Sequence, residues 1–272
     1  MKQTDPVLLS RLTGILRAGG IADAELEAKW ITEDIPDADA ALEIAGRRAE
    51  HEPLQYLLGT WEFYGLPMRV GSGVLIPRAD TETLVDAVLS RVADAPGQRI
   101  ADLCTGSGCI ALALASRMKQ SRFSGLDISP AALAFAEQNR AMNGSEENVQ
   151  LLCADVLAEE TAAQFDGLAA IVCNPPYLTA DDMASLQTEV TYEPAEALAG
   201  GADGLDFYRQ ITALWRRTLR PGGLLAYEVG AEQADAVCGI LAENGFSGIE
   251  TVRDLNGIRR TVLGYRSLSD SE

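Results

Sequence analysis

Asn174, Pro175, Pro176 and Tyr177 place an amide, two residues without N–H groups and an aromatic ring in four successive positions. They follow Leu168–Cys173, an uncharged apolar run that reads as a buried strand. The strand cannot continue through them, because neither proline can donate to a ladder and each ring fixes its own φ. Their carbonyls remain as acceptors with no donors beside them. Asn174 adds a side-chain acceptor and donor, and Tyr177 a flat face. Such a cup suits a planar N–H₂ group. A loop that only terminates a strand has the same composition, so the rest of the chain must decide.

A second constellation is Asp102-Leu103-Cys104-Thr105-Gly106-Ser107-Gly108-Cys109-Ile110-Ala111, between a strand and a helix. Gly106 and Gly108 let backbone approach a ligand closely. Asp127, at the end of the next strand, can accept both hydroxyls of a ribose, and Asp155, ending the third, falls near a base. A dinucleotide and S-adenosylmethionine both suit this pattern. A carboxylate at Asp102 favours a ligand with an ammonium and a sulfonium and repels a pyrophosphate. Ligands of open α/β sheets bind at the carboxyl ends of strands, where the Asn174–Tyr177 cup also lies. S-adenosylmethionine is the preferred reading.

Methyl transfer to an amide or exocyclic amine is difficult because the nitrogen lone pair is delocalised. Asn174 through its side-chain oxygen and Pro175 through its carbonyl can accept the N–H protons as the nitrogen becomes tetrahedral. Tyr177 can pack on the planar group. These three are the candidate catalytic residues, working by positioning and electrostatic stabilisation. His51 is the only histidine, which excludes a His-rich zinc site and, unless His51 reaches it, a His-paired triad. It reads as a surface residue at a helix end. The five cysteines show no CxxC or metal-ligand spacing, so no metal is expected; an odd count without a signal peptide fits reduced thiols in a cytoplasm.

The formal net charge of −18 argues against phosphate-driven binding of duplex nucleic acid and favours a basic partner. No apolar run approaches a membrane span, and no secretory segment follows the first residues.

The elements that must hold these groups fall into three stretches. Residues 1–58 read as a small helical domain, with helices over 6–18, 24–35, 38–50 and 53–58. Residues 59–79 read as a hairpin linker built on Trp61–Val70, with 74–78 extended. Residues 80–272 open with Asp80 as the N-cap of a helix carrying Leu84, Val85, Val88, Leu89 and Val92. Strands and helices then alternate: strands at 99–103, 122–126, 149–153, 168–173 and 224–229, and a helix over 205–219 stopped by Pro221-Gly222-Gly223. A final strand pair at 248–252 and 260–265 is close enough to be antiparallel. The fold class is α/β: a Rossmann-like methyltransferase domain with a mostly parallel seven-stranded sheet and an antiparallel last strand.

Asn-Pro-Pro-Tyr cups occur in N6-adenine methyltransferases and in glutamine-N5 methyltransferases acting on protein. The flanks separate them. Glu52-Pro53-Leu54-Gln55-Tyr56-Leu57-Leu58-Gly59, Glu62-Phe63-Tyr64-Gly65, Val74-Leu75-Ile76-Pro77-Arg78 with Thr81-Glu82, and the 102–115 and 165–177 stretches closely resemble the peptide chain release factor glutamine methyltransferases, the HemK/PrmC family. So do Glu193-Pro194, Ala197-Leu198 and Gly200-Gly201-Ala202-Asp203-Gly204-Leu205-Asp206. The resemblance implies methylation of the glutamine amide in the Gly-Gly-Gln motif of class I release factors. It implies that S-adenosylmethionine is held by Cys104, Thr105, Gly106, Ser107, Gly108, Asp127, Val156 and Asn174. The substrate glutamine would be held by Asn174, Pro175, Pro176 and Tyr177. Cys104 stands where a glycine is frequent in that family, Ala79-Asp80 replaces Pro-Glu, and Cys173 replaces Ser. Arg78 and Glu82 are candidates for bracing the hairpin, and Glu228 for lining the pocket or capping.

Overall fold

The computed structural model describes residues 5–268. The chain opens with four helices, α1 (Pro6–Ala18), α2 (Ala24–Asp34), α3 (Ala38–Ala49) and α4 (Leu54–Leu58). Asp5 and Asp37 cap α1 and α3 by accepting from the N–H groups of Val7 and Ala40. Leu12, Leu16, Ala28, Ile31, Ala41 and Ala45 are fully buried and form a core separate from that of the sheet. The buried alanines of this core, Ala24, Ala28, Ala41 and Ala45, let the three longer helices approach closely.

Gly59 ends α4 in the left-handed region, and an antiparallel ribbon follows, β1 (Thr60–Phe63) and β2 (Leu66–Arg69). Its turn, Tyr64-Gly65, has φ of 54° and 74°, the two positive values a tight two-residue hairpin needs. Glu82 accepts the Tyr64 N–H at 2.7 Å and so braces the ribbon.

The remaining elements are α5 (Glu82–Leu89), β3 (Arg99–Leu103), α6 (Cys109–Arg117), β4 (Arg122–Asp127), α7 (Pro130–Met142), β5 (Val149–Cys153) and α8 (Glu159–Ala162). They continue with β6 (Leu168–Cys173), α9 (Ala180–Ala184), α10 (Asp206–Trp215), β7 (Leu219–Glu228), α11 (Ala234–Glu243), β8 (Phe246–Arg253) and β9 (Arg259–Arg266). β3 to β9 form one seven-stranded sheet in the order β5-β4-β3-β6-β7-β9-β8. β9 runs antiparallel to both neighbours, and the pairs from β5 to β7 are parallel. Alternate residues feed opposite faces: Ile100, Ala170 and Val172 join the layer under α5 and α6, whereas Ala101, Ile171 and Cys173 join the layer with Tyr208 and Trp215 of α10.

Strand order reverses between β3 and β6. Their carboxyl ends lie side by side, with Leu103 opposite Cys173, and this is where an open α/β sheet leaves a crevice.

Several boundaries move by a few residues, and two expectations are corrected. The helix over 205–219 stops at Trp215, because Leu219 already pairs with Leu168 in the sheet and Pro221-Gly222-Gly223 fall inside β7, where the register shifts. Asp80 is not an N-cap. It lies in a short 3-10 turn, Ala79–Thr81, and its carboxylate meets Arg260 at 3.4 Å.

Trp215 ties this layer to the crevice, since its buried indole N–H donates to the Val156 carbonyl at 2.8 Å. Trp215→Phe leaves that carbonyl unpaired and removes core volume. It is expected to lower unfolding free energy by about 2 kcal/mol in urea titrations.

Candidate active site

The loop after β3 turns by holding Cys104, Gly106 and Gly108 at φ of 58°, 56° and 79°. For Cys104 this conformation costs about 1–2 kcal/mol that glycine would not incur. The turn is fixed from outside: Thr105 N–H donates to the Leu126 carbonyl at 2.9 Å and Gly106 N–H to Asp127 Oδ2 at 2.8 Å. Asn139 of α7, fully buried, donates to the Ser107 carbonyl at 2.9 Å and bonds both backbone groups of Arg69. One side chain thus joins loop, helix and ribbon.

Asp102 points into the protein rather than the crevice. Its Oδ2 accepts from the Thr105 hydroxyl at 2.6 Å and the Ala111 N–H at 3.1 Å, joining loop to α6, while Oδ1 has no partner. Burial pushes its carboxyl up to about 7. Its role here is to shape the loop. Asp127 is also pushed up by burial, against the N–H groups of Ser129 and Gly106 that favour its charge.

A cavity of about 340 Å³ opens above the carboxyl ends of β3, β4, β5 and β6. Cys104, Thr105, Gly106, Ser107, Asp127, Asp155, Val156 and Asn174 all line it; Gly108 does not and instead sits under α7, where a Cβ would meet Ala136 at 3.3 Å. A second cavity of about 120 Å³ is lined by Asn174, Pro175, Tyr177, Arg78 and Glu228, with Leu75, Leu178, Val190 and Leu198 as apolar walls. Pro176 faces the larger cavity instead. Asn174 belongs to both.

The cup is held from behind. A Cβ on Gly200 would lie 2.6 Å from the Tyr177 Cα, so only glycine allows that loop to seat against it. Leu178 N–H donates to the Leu198 carbonyl at 2.9 Å, and Gln233 donates to the Tyr177 carbonyl, also at 2.9 Å. Glu193, buried, accepts the Ile76 N–H at 3.0 Å and pairs with Arg78, which draws the 74–78 segment over both cavities. Arg78 therefore lines the site rather than bracing the hairpin. Burial raises the Tyr177 hydroxyl to about 12.

Sequence reasoning missed Asn139 and Gln233, read Glu193 only as part of a family-resembling loop, and left the place of Glu228 open. Glu228 is 1% exposed and lines the smaller cavity, with Oε2 unpartnered. Its position at the end of a central strand was the available signal. His51, half-exposed, is not isolated: Glu189 lies 3.0 Å from its Nδ1 and also meets buried Arg48 at 3.1 Å. Among the described residues no helix is long and apolar enough to cross a membrane, and no group of three or more His, Cys, Asp or Glu could hold a metal.

A doubly wound sheet with a glycine loop and an Asn-Pro-Pro-Tyr cup at its switch point defines a Rossmann-like methyltransferase. The methyltransferase small domain model matches residues 79–202. Solved structures share the fold: the catalytic domain of hMettl16 at TM-score 0.62 and 16% identity, covering 84% of this chain and 83% of that one. A methyltransferase from Pyrococcus furiosus follows at TM-score 0.56 and 15% identity, over 75% and 91%. The relative from Geobacter sulfurreducens is 39% identical over 92% of this chain and 93% of its own length. The one from Thermodesulfovibrio yellowstonii is 44% identical over 82% and 80%. Both are named release factor glutamine methyltransferase. The chain belongs to the release factor glutamine methyltransferase family.

Asp102 and Glu228 each hold a proton more tightly in the folded chain than a free carboxyl does, both titrating at about 7. Their contribution to stability is full below the ordinary carboxylate range and is lost as pH rises through about 7. The wild-type Tm is expected to fall between about pH 5 and about pH 8. In Asp102→Asn, which keeps one oxygen for Thr105 and Ala111, that fall should be smaller; an unchanged slope would assign it elsewhere.

Proposed function

We propose that the chain transfers a methyl group from S-adenosylmethionine to the side-chain amide nitrogen, N5, of the glutamine in the Gly-Gly-Gln motif of class I peptide chain release factors. The observation that carries this reading is the junction at Asn174, where a cavity large enough for a nucleoside meets one sized for a single planar amide.

The residues present fit the donor. A Cβ on Gly106 would meet no atom within 4 Å, so the loop leaves open space toward the cavity. Each Asp127 oxygen accepts one backbone N–H and keeps a further acceptor position for a ribose hydroxyl. The Cys104–Gly108 loop would hold the methionine part, Asp127 the ribose, Asp155 and Val156 the base side, and Asn174 the end next to the substrate. When bound, S-adenosylmethionine supplies an electrophilic methyl on a sulfonium.

Asn174 Oδ1 and the Pro175 carbonyl accept the substrate N–H groups and aim the nitrogen at the larger cavity. Acceptors there favour the nitrogen as it gains positive character. The Tyr177 face stops the amide from rotating, and the apolar walls keep water from the nucleophile. In this reading residues 1–58 are the substrate-recognition domain, residues 59–79 the linker and residues 80–272 the catalytic domain. Residues 1–4 and 269–272 of these spans lie outside the described residues. The enzyme acts in the cytoplasm as a monomer without direct nucleic-acid contact, in keeping with a net charge of −18.

The second member of the cup-bearing group, an N6-adenine methyltransferase, is separated by one assay. Purified protein with methyl-labelled donor is expected to label release factor and leave adenine-containing oligonucleotides unlabelled; the reverse would overturn the reading. Asn174→Ala should lower kcat by about 100-fold or more. Asp127→Ala should instead weaken donor binding by about tenfold in calorimetry.

A further inference from the structure

Glu228 ends β7, one residue past Tyr227, which sits opposite Cys173 at the end of β6. That register puts its side chain beside the cup. The carboxyl is buried, lines the small cavity with Asn174, Pro175 and Tyr177, and leaves Oε2 without a partner. Burial disfavours its charged form, and the Thr81 hydroxyl and the Asn174 amide, which lie against it, favour it. An unpartnered carboxylate oxygen in such a place is costly, and folds retain such groups where a ligand completes them.

Asn174 and Pro175 present only amide oxygens. They can orient N–H groups, but they are too weakly basic to keep a proton. Methylation of an amide nitrogen must release one.

We propose that Glu228 is a catalytic residue whose free oxygen receives the proton shed by the substrate nitrogen, an inference that rests on the glutamine-methylation reading. The nitrogen lone pair forms the new N–C bond, and the pair of the broken C–S bond stays on sulfur. The N–H pair returns to nitrogen as the proton passes to Oε2. The sulfonium and the carboxylate are both neutralised, so charge and atoms balance without another reactant.

The groups facing Glu228 come from several elements. Arg260 of β9 favours its charge and Asp80 opposes it. Arg78 shares the cavity. Tyr177 and Cys109 are each raised to about 12 and Tyr208 well above its usual value, so these three stay neutral where Glu228 titrates. Proton acceptance needs the ionised form, so turnover should rise with pH through about 7.

The test is kcat against pH at saturating donor and release factor, for wild type, Glu228→Gln and Asp102→Asn. Wild type and Asp102→Asn are expected to show the limb at about 7, which separates Glu228 from the other carboxyl that titrates there. Glu228→Gln should lose the limb and about 100-fold in kcat. Its KM for release factor and its affinity for S-adenosylhomocysteine should stay within about threefold, since a catalytic role moves kcat alone. A Glu228→Gln enzyme with wild-type kcat, or with the limb intact, overturns the proposal while leaving the glutamine reading standing. Should that variant fail to bind S-adenosylhomocysteine, the wild-type profile decides, and a kcat independent of pH between about 6 and about 8 overturns the proposal. A wild type that leaves release factor unmethylated overturns both.

Discussion

The pairing of Leu103 with Cys173 is the constraint on which the site depends. Because β3 and β6 are parallel neighbours, the glycine loop and the Asn-Pro-Pro-Tyr cup leave the sheet at the same edge and the same height. A shift of one residue in this register would turn Ile171 and Cys173 toward α5 and α6 and carry Asn174 away from the loop. The six consecutive buried residues of β6 hold that register, since each side chain is matched to one of two apolar layers. Cavity, cup and the place of Glu228 follow from it through the β6–β7 pairing.

Around that edge the chain buries carboxylates. Asp102 and Asp127 hold the loop through backbone N–H groups and a hydroxyl, and Glu193 draws the 74–78 segment over the cavities. Glu228 has no such duty for its outer oxygen. Burying Asp102 and Glu228 costs stability at neutral pH, as the raised titration of both shows. Arg260, between Asp80 and Asp254 at 3.4 Å from each, supplies part of the compensation. An acidic protein with an acidic pocket wall is consistent with a cationic donor and a neutral amide as its two reactants.

The alternation of strands and helices was legible because short apolar runs such as Leu168–Cys173 alternate with longer stretches of helix formers, and because Ser129-Pro130 marks a helix start plainly. The candidate residues gathered for the same reason: strand ends were identifiable, and a parallel sheet collects them at one edge. Pro221-Gly222-Gly223 misled because it has the composition of a helix stop, yet here it occupies an irregular part of a strand. Burial was not legible for isolated polar residues. Asn139 falls on the same α7 stripe as the buried Ala132 and Ala136, but its polar side chain does not announce burial, and Glu228 looks like an ordinary strand end, until the ribbon and the cup close over them. The side chain of Cys104 does not announce its left-handed backbone, and the signal was the glycine frequent at that place in the resembling family.

The central claim is that the methyl group arrives on a glutamine side-chain nitrogen held at Asn174. Mass spectrometry of release factor incubated with the purified protein and S-adenosylmethionine tests this most directly, with fragmentation to locate the change. The account predicts one added methyl, on the side-chain amide of the glutamine in the Gly-Gly-Gln peptide. A methyl on any other residue, or an unmodified peptide beside a methylated nucleic acid, would contradict it.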